Sequence, residues 1–262
     1  VACSVEAASR LGGFYYQQQG MPTGWEWQSP DSLACNKEQP HAWFFSFRNV
    51  EEARKVLPEN SSYWQSLDGQ WKFHWASRPE ERPKDFYLTD YDVSKWDDIL
   101  VPLSWNMAGL QDDGNNKYGD PLYSNQRVIF QHAYRVNDWK GGVMRTPKTN
   151  WMTYRNRNEV GSYRRTFTIP ANWKSKEVFI NFDGADSFFY LYINGRYVGF
   201  SKNSRNLAEF DITAYLYKEG KENVVAVEVY RNSDASFLES QDMFRLPGIF
   251  RTVALTAKPK VH

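Results

Sequence analysis

The chain has 262 residues, with 32 Lys plus Arg against 31 Asp plus Glu and a net charge of +1, a balance that gives no general electrostatic drive toward nucleic acid or an anionic membrane. No apolar run reaches the ~18–20 residues that span a bilayer, so no membrane-spanning helix is expected. The length suits one large all-β domain or two smaller ones, and the two cysteines, Cys3 and Cys35, make neither a metal spacing nor a disulfide framework: they pair with each other or remain thiols.

The opening Val1-Ala2-Cys3-Ser4 has small residues around a cysteine, as at an export or lipoprotein processing site, and fits an ordinary mature terminus equally. It leans the compartment toward extracytoplasmic (periplasmic), with cytoplasmic as the alternative. Residues 1–65 read as an extended, irregular arm, because Gly12-Gly13, Gly20, Pro22, Gly24, Pro30 and Pro40 break up isolated aromatics. One short helix is expected at Asn49–Leu57, with Asn49 as its cap, Glu52 at the capping-box position and Pro58 ending it.

From about Leu67 the hydrophobic period changes to two. Trp71, Phe73 and Trp75 alternate with Lys72 and His74, as in a half-buried strand. Tyr163 to Ile169, Val178 to Phe182, Phe188 to Ile193, Arg196 to Phe200, Val224 to Tyr230 and Thr252 to Ala257 continue the series. Asn194-Gly195 predicts a hairpin turn, since both residues tolerate positive φ. Val225, Val227 and Val229 face one way and Glu228 the other. Asp211 to Leu216 reads as one capped helical turn joining strands. No strand–helix alternation occurs, which argues against a parallel α/β sheet. Residues 66–262 are read as one antiparallel β-sandwich, a jelly roll of the galactose-binding-domain-like kind, with a surface insertion at about 131–158.

The 11 Trp, 16 Tyr and 17 Phe residues suit a carbohydrate protein, because rings stack on the apolar faces of sugars. Filling a sandwich core accounts for most of them. Established catalytic patterns are missing: there is no G-x-S-x-G, no phosphate-cradling glycine loop, no H-E-x-x-H and no paired C-x-x-C. The acids fall mostly on polar strand faces and in turns, where charge is ordinarily solvated.

Two loops stand out. In Asp120-Pro121-Leu122-Tyr123-Ser124-Asn125, the Asn125 amide offers the mixed donor and acceptor character that sugar hydroxyls match, or simply closes its own turn. The segment Ser236 to Arg251 is too aromatic for a solvated turn and too polar for a core segment. Within it, Asp242 beside Gln241 can accept from hydroxyls or give oxygen to a hard cation, or it pairs with Arg245 or Arg251.

Residues along nearly the whole chain resemble glycoside hydrolase family 2, most closely its long lactose-type β-galactosidases. They are Phe45-Ser46-Phe47-Arg48-Asn49, Leu67-Asp68-Gly69-Gln70-Trp71-Lys72-Phe73, Val101-Pro102-Leu103-Ser104-Trp105-Asn106, Pro121-Leu122-Tyr123-Ser124-Asn125, Gly161-Ser162-Tyr163-Arg164-Arg165, Asn194-Gly195-Arg196, Ala208-Glu209-Phe210-Asp211 and Gln241-Asp242-Met243-Phe244-Arg245. The resemblance implies a sugar-binding jelly roll that precedes an immunoglobulin-like domain and a TIM barrel. The barrel, which needs ~250 residues by itself, would hold the acid/base and nucleophile glutamates. The expectation is therefore that no catalytic residue lies in this chain and that the chain alone is inactive. Asn125 and Asp242 carry over as groups that hold the galactosyl unit of a β-galactoside. Asp242 also resembles a sodium ligand completed by residues outside this chain, with magnesium as a second candidate ion in the longer enzyme. The reaction implied is retaining hydrolysis, and the longer protein is expected to be a homo-oligomer. A free-standing carbohydrate-binding module, or a family 2 β-glucuronidase or β-mannosidase, is the alternative. The pattern departs from the family at Ser240, Phe244, Pro247 and Asn232, and Asp113 to Gly119 lengthens the loop before Asn125. These departures bear on substrate rather than on fold.

Overall fold

The computed structural model describes residues 21–31, 33–124, 158–217, 220–239 and 241–260, together with the backbone of Tyr15–Tyr16. Its strands are β1 (Tyr15–Tyr16), β2 (Ala34–Cys35), β3 (Trp64–Ser66), β4 (Gly69–Ala76), β5 (Asp97–Val101), β6 (Leu122–Ser124), β7 (Val160–Phe167), β8 (Glu177–Phe182), β9 (Ala185–Asp186), β10 (Phe188–Ile193), β11 (Arg196–Ser201), β12 (Ala208–Asp211), β13 (Asn223–Tyr230), β14 (Met243–Arg245), β15 (Gly248–Ile249) and β16 (Val253–Lys258). Three one-turn helices, α1 (Val50–Ala53), α2 (Trp105–Ala108) and α3 (Ser236–Glu239), are all that is α-helical among the described residues.

An eight-stranded sheet, ordered β1-β2-β11-β10-β13-β7-β4-β5, faces a four-stranded sheet, ordered β12-β8-β16-β3. All pairings are antiparallel except β1 with β2. This is the antiparallel sandwich that the period-two pattern predicts. Its core is the inward set of alternating positions: Trp71 and Phe73 of β4, Val225, Val227 and Val229 of β13, Val178, Ile180 and Phe182 of β8, and Val253 and Leu255 of β16. Each such side chain contributes ~1.5–3 kcal/mol by leaving water. The β10–β11 hairpin turns at Asn194 (φ 51°) and Gly195 (φ 77°), both left-handed as the Asn-Gly pair predicts.

Alternation also predicts a solvated outer face for the large sheet, and there the structure differs. Segments 21–31 and 78–96 lie across that face. Trp27 and Phe86 pack on Phe188, Tyr190, Tyr192 and Tyr230 to form a second apolar layer. Glu228 of β13 is consequently buried at 3% exposure. It survives there because Arg82 Nε donates to it at 2.9 Å and the Tyr230 hydroxyl donates at 2.6 Å. Glu26, also buried, accepts from the Tyr190 hydroxyl at 2.6 Å. The rings thus fill two layers, and acids that looked solvated are buried with partners, as buried charge requires.

The short helix forms at Val50–Ala53, and Asn49 caps it by accepting from the Glu52 N–H at 2.9 Å. The Glu52 carboxylate does not close a capping box onto Asn49. It accepts from the N–H groups of Arg48 (3.1 Å) and Ser62 (3.0 Å) and so ties the helix to the chain ten residues on. Pro58, expected only to end the helix, begins a separate 3₁₀ turn. The turn after β12 is a 3₁₀ turn at Thr213–Tyr215, held by Asp211 accepting from the Thr213 N–H at 2.9 Å.

Two described stretches of the expected arm join the sandwich: β2 pairs with β11 and β3 pairs with β16. Cys35 is buried against the large sheet, and Cys3 lies outside the described residues. Gly199 makes the β2 contact possible: a Cβ there would stand 2.1 Å from the Cys35 carbonyl oxygen. Gly199→Ala should therefore cost ~1–3 kcal/mol through overpacking and expose the 33–36 backbone. Urea unfolding and hydrogen exchange at Cys35 check both.

Farther along, His41 Nε2 meets Glu209 Oε2 at 2.7 Å, and Lys258 Nζ meets the other Glu209 oxygen at 2.7 Å. The Ala42 carbonyl and Glu209 hold the His41 pKa above its ordinary value. A raised folded-state pKa stabilises below the unfolded value of ~6.5 and loses that contribution as pH rises through the folded value. Hydrogen exchange at residues 38–45, corrected for intrinsic rate, should accelerate as pH rises above the ordinary imidazole value of ~6.5, and His41→Gln should remove that dependence.

Candidate functional site

At one end of the sandwich, Arg231 directly follows β13 and Glu159 directly precedes β7. The two side chains meet at 2.7 Å with only 3% and 1% of their area exposed. The Trp105 indole N–H also reaches this carboxylate, at 3.3 Å. Gly119 passes so close that a Cβ would lie 2.4 Å from Glu159 Oε1, and its φ of +75° also suits glycine. From this buried centre the Arg231 guanidinium donates to the Asp120 carbonyl (2.9 Å) and the Arg245 carbonyl (3.3 Å). One cation thus fastens the base of the 120–125 loop and the base of the 236–251 segment. Asn158 reinforces the arrangement, exchanging two hydrogen bonds with the main chain of Asn232 at 3.0 and 2.8 Å.

Above that base the two segments form a ribbon. β6 pairs antiparallel with β14, in the register Met243↔Ser124, Phe244↔Tyr123 and Arg245↔Leu122. The Tyr123 hydroxyl donates to Asp242 Oδ1 at 2.6 Å across a sequence separation of 119 residues, and this bond pushes the Tyr123 pKa up. Tyr123 and Phe244 also touch, with ring centroids 5.3 Å apart. Asp242 is exposed, with one carboxylate oxygen held by Tyr123.

The turn that carries Asp242 is fixed from its other side. α3 ends at Glu239, and the Arg245 guanidinium donates to the carbonyls of Glu239 and Gln241 at 2.5 Å each. Gln241 N–H returns to the Glu239 carbonyl at 2.9 Å, and Met243 N–H to the Gln241 carbonyl at 2.8 Å. Around the turn lie apolar groups in water: Leu238 is 86% exposed, Phe244 60% and Tyr123 49%.

Both loops singled out by sequence are therefore neighbours, a pairing that no local pattern discloses. Asp242 sits on the ribbon. Neither Arg245 nor Arg251 pairs with it; both donate to main-chain carbonyls. Asn125 lies outside the described residues, as do Ser240 and residues 131–157 of the expected insertion. Asn158, the last residue assigned to that insertion, is buried rather than on the surface. The loop lengthened at Asp113 to Gly119 folds back on itself through an isolated bridge between Leu110 and Asn116. Tyr123, Glu159, Arg231 and Arg245 escaped the sequence reading as site residues; an arginine directly after a strand and another in the aromatic loop were the available signals. Among the described residues no cluster of three His, Cys, Asp or Glu side chains could hold a metal ion, so Asp242 could be only one donor in a larger set.

Removing one partner of a buried ion pair leaves an uncompensated charge, which costs ~3–5 kcal/mol. Glu159→Ala should lower stability by about that amount in urea unfolding. It should also loosen the ribbon, read as faster exchange of the Met243 and Arg245 amides.

Residues 64–259 match the family model described as "Glycosyl hydrolases family 2, sugar binding domain". A β-galactosidase of Priestia megaterium is 42% identical over 238 residues, covering 90% of this chain and 21% of that protein. The β-galactosidase large subunit of Lactobacillus helveticus is 36% identical over 237 residues, covering 89% of this chain and 35% of that subunit. Among solved structures, Bacteroides uniformis β-glucuronidase 2 superposes with a TM-score of 0.50 at 24% identity, over 75% of this chain and 18% of that one, a likeness of fold. The chain spans only 21% and 35% of the length of its two named relatives. Match, coverage and fold agree: the chain belongs to glycoside hydrolase family 2, as its sugar-binding domain.

Proposed function

We propose that this chain is the substrate-positioning domain of a retaining β-galactosidase, in which Asp242 and Asn125 hold the galactosyl unit for carboxylates supplied by a downstream TIM barrel. The observation that carries this reading is the state of Asp242. It stands exposed on a ribbon anchored by a buried ion pair, with Oδ1 engaged by Tyr123. That leaves Oδ2 to accept from a sugar hydroxyl. A carboxylate fixed by its surroundings before substrate arrives loses little freedom on binding, which is how positioning contributes to rate. The exposed Leu238, Phe244 and Tyr123 around it have the character of a surface that another domain covers.

A β-galactoside is favoured over a glucuronide because the relatives at 36–42% identity are β-galactosidases, whereas the β-glucuronidase likeness is one of fold. The second oxygen of Asp242 also suits a hard cation such as sodium, with magnesium as a second candidate. One carboxylate cannot complete a shell, so the remaining oxygens would come from outside this chain. Bound there, the ion would add positive charge beside the sugar hydroxyls. Asp242 itself orients the pyranose and transfers no proton.

In the protein extended through its barrel, Asp242→Asn should lower kcat/KM for nitrophenyl β-galactoside ~10²-fold and weaken any sodium dependence. Tyr123→Phe should lower it by a smaller factor, with Asp242 present but less oriented. The 262-residue chain alone should show no turnover. Wild-type kinetics in Asp242→Asn, or turnover by the chain alone, would overturn the proposal.

A further inference from the structure

Beneath the Asp242 turn lies a crevice lined by Asp186, Arg205, Arg231, Asn232, Glu239 and Arg245. Asp186 ends β9, where it pairs with Gly248 of β15. Ser204, fully buried, stands between two acids. Its N–H donates to Glu239 Oε1 at 3.0 Å, its hydroxyl lies 2.5 Å from Glu239 Oε2, and the same hydroxyl lies 3.3 Å from Asp186 Oδ1. A serine hydroxyl has one proton to give. The shorter contact assigns it to Glu239. The hydroxyl's one proton cannot serve both carboxylates fully, so the set is complete only when Asp186 itself carries a proton and donates to the Ser204 oxygen.

We infer that Asp186, Ser204 and Glu239 form a proton-bearing chain that, acting with Arg245, sets the position of the Asp242 turn. The path is short. Glu239 ends α3, Arg245 clamps the carbonyls of Glu239 and Gln241, and Asp242 is the next residue. The charged groups facing Asp186 bear on its proton in opposite senses. Arg205 is 3.8 Å away and Arg245 lies in the same crevice, and both favour ionisation; the Glu239 carboxylate opposes it. Arg231 is committed to Glu159. Burial outweighs the two arginines and pushes the Asp186 pKa up to about 6. Below that pH the chain Asp186–OH to Ser204–OH to Glu239 is complete. Above it the Asp186 proton passes to solvent, its carboxylate turns to Arg205, and Glu239 loses the link. Asp186 and Ser204 are thus positioning residues, remote from any substrate. The functional weight of this inference rests on Asp242 being the sugar-binding group, but its test does not.

Amide ¹H–¹⁵N spectra of the 262-residue chain, recorded between about pH 5 and pH 8, should show Gln241, Asp242 and Met243 shifting together with a midpoint near 6. Asp186→Asn donates to Ser204 at every pH, so it should hold these amides at their low-pH positions and abolish the transition. Ser204→Ala should abolish the transition as well, and it serves should Asp186→Asn fail to fold. Asp242→Asn should keep the transition, which separates it from titration of Asp242 itself. A midpoint that persists in Asp186→Asn, or a wild-type chain without one, would overturn the inference, whatever the chain does with sugars.

Discussion

A guanidinium and a carboxylate, 2.7 Å apart and almost wholly out of water, hold one end of this domain together. Arg231 directly follows β13 and Glu159 directly precedes β7, adjacent strands of the large sheet, so the sandwich fixes their meeting. Because the arginine has donors left over, it also takes the carbonyls of Asp120 and Arg245 and draws two distant loops onto one base. Isolated charges of this kind would be prohibitively costly to bury; paired and hydrogen-bonded, they exchange stability for a defined geometry. The ribbon above, the turn held by Arg245 and the bond from Tyr123 to Asp242 all build on that base.

The same logic recurs across the molecule. Glu228 with Arg82 ties the covering segment 78–96 to the large sheet, Glu209 with Lys258 links two strands of the small sheet, and Asp234 with Lys202 joins the chain just past β13 to the chain just past β11. The Glu228 pair sits on the covered face of the large sheet, where it marks register as well as filling space. A slip of one residue would break ion pairs as well as misplace side chains. The exception to this economy is the Asp242 turn, where a carboxylate and large apolar groups stand together in water. The proposed function assigns that surface to one half of a site completed by another domain.

How much of this was legible in the sequence depended on range. Strands with clean alternation, such as those holding Trp71 with Phe73 and Val225 with Val229, were readable because period two follows from the pleat itself. The Asn194-Gly195 turn was readable because its residues carry their own conformational preference. Asp242 and its neighbours were conspicuous as a mixture too polar for a core and too aromatic for a turn. What could not be read was set by contacts remote in sequence. Glu228 looked solvated until segment 78–96 covered it. Tyr123 gave no sign of its partner 119 residues away. Glu52, placed for a capping box, instead found the backbone of Ser62.

The central question is whether the Asp242 ribbon is where a galactosyl unit is held. The most direct test is a crystal structure of the longer protein with galactose bound. The prediction is a sugar hydroxyl within ~3 Å of the Asp242 carboxylate, with the Tyr123 bond intact and the Leu238–Phe244 surface covered by the barrel. Galactose seated in the barrel with the Asp242 ribbon in solvent, out of hydrogen-bond reach, would contradict it.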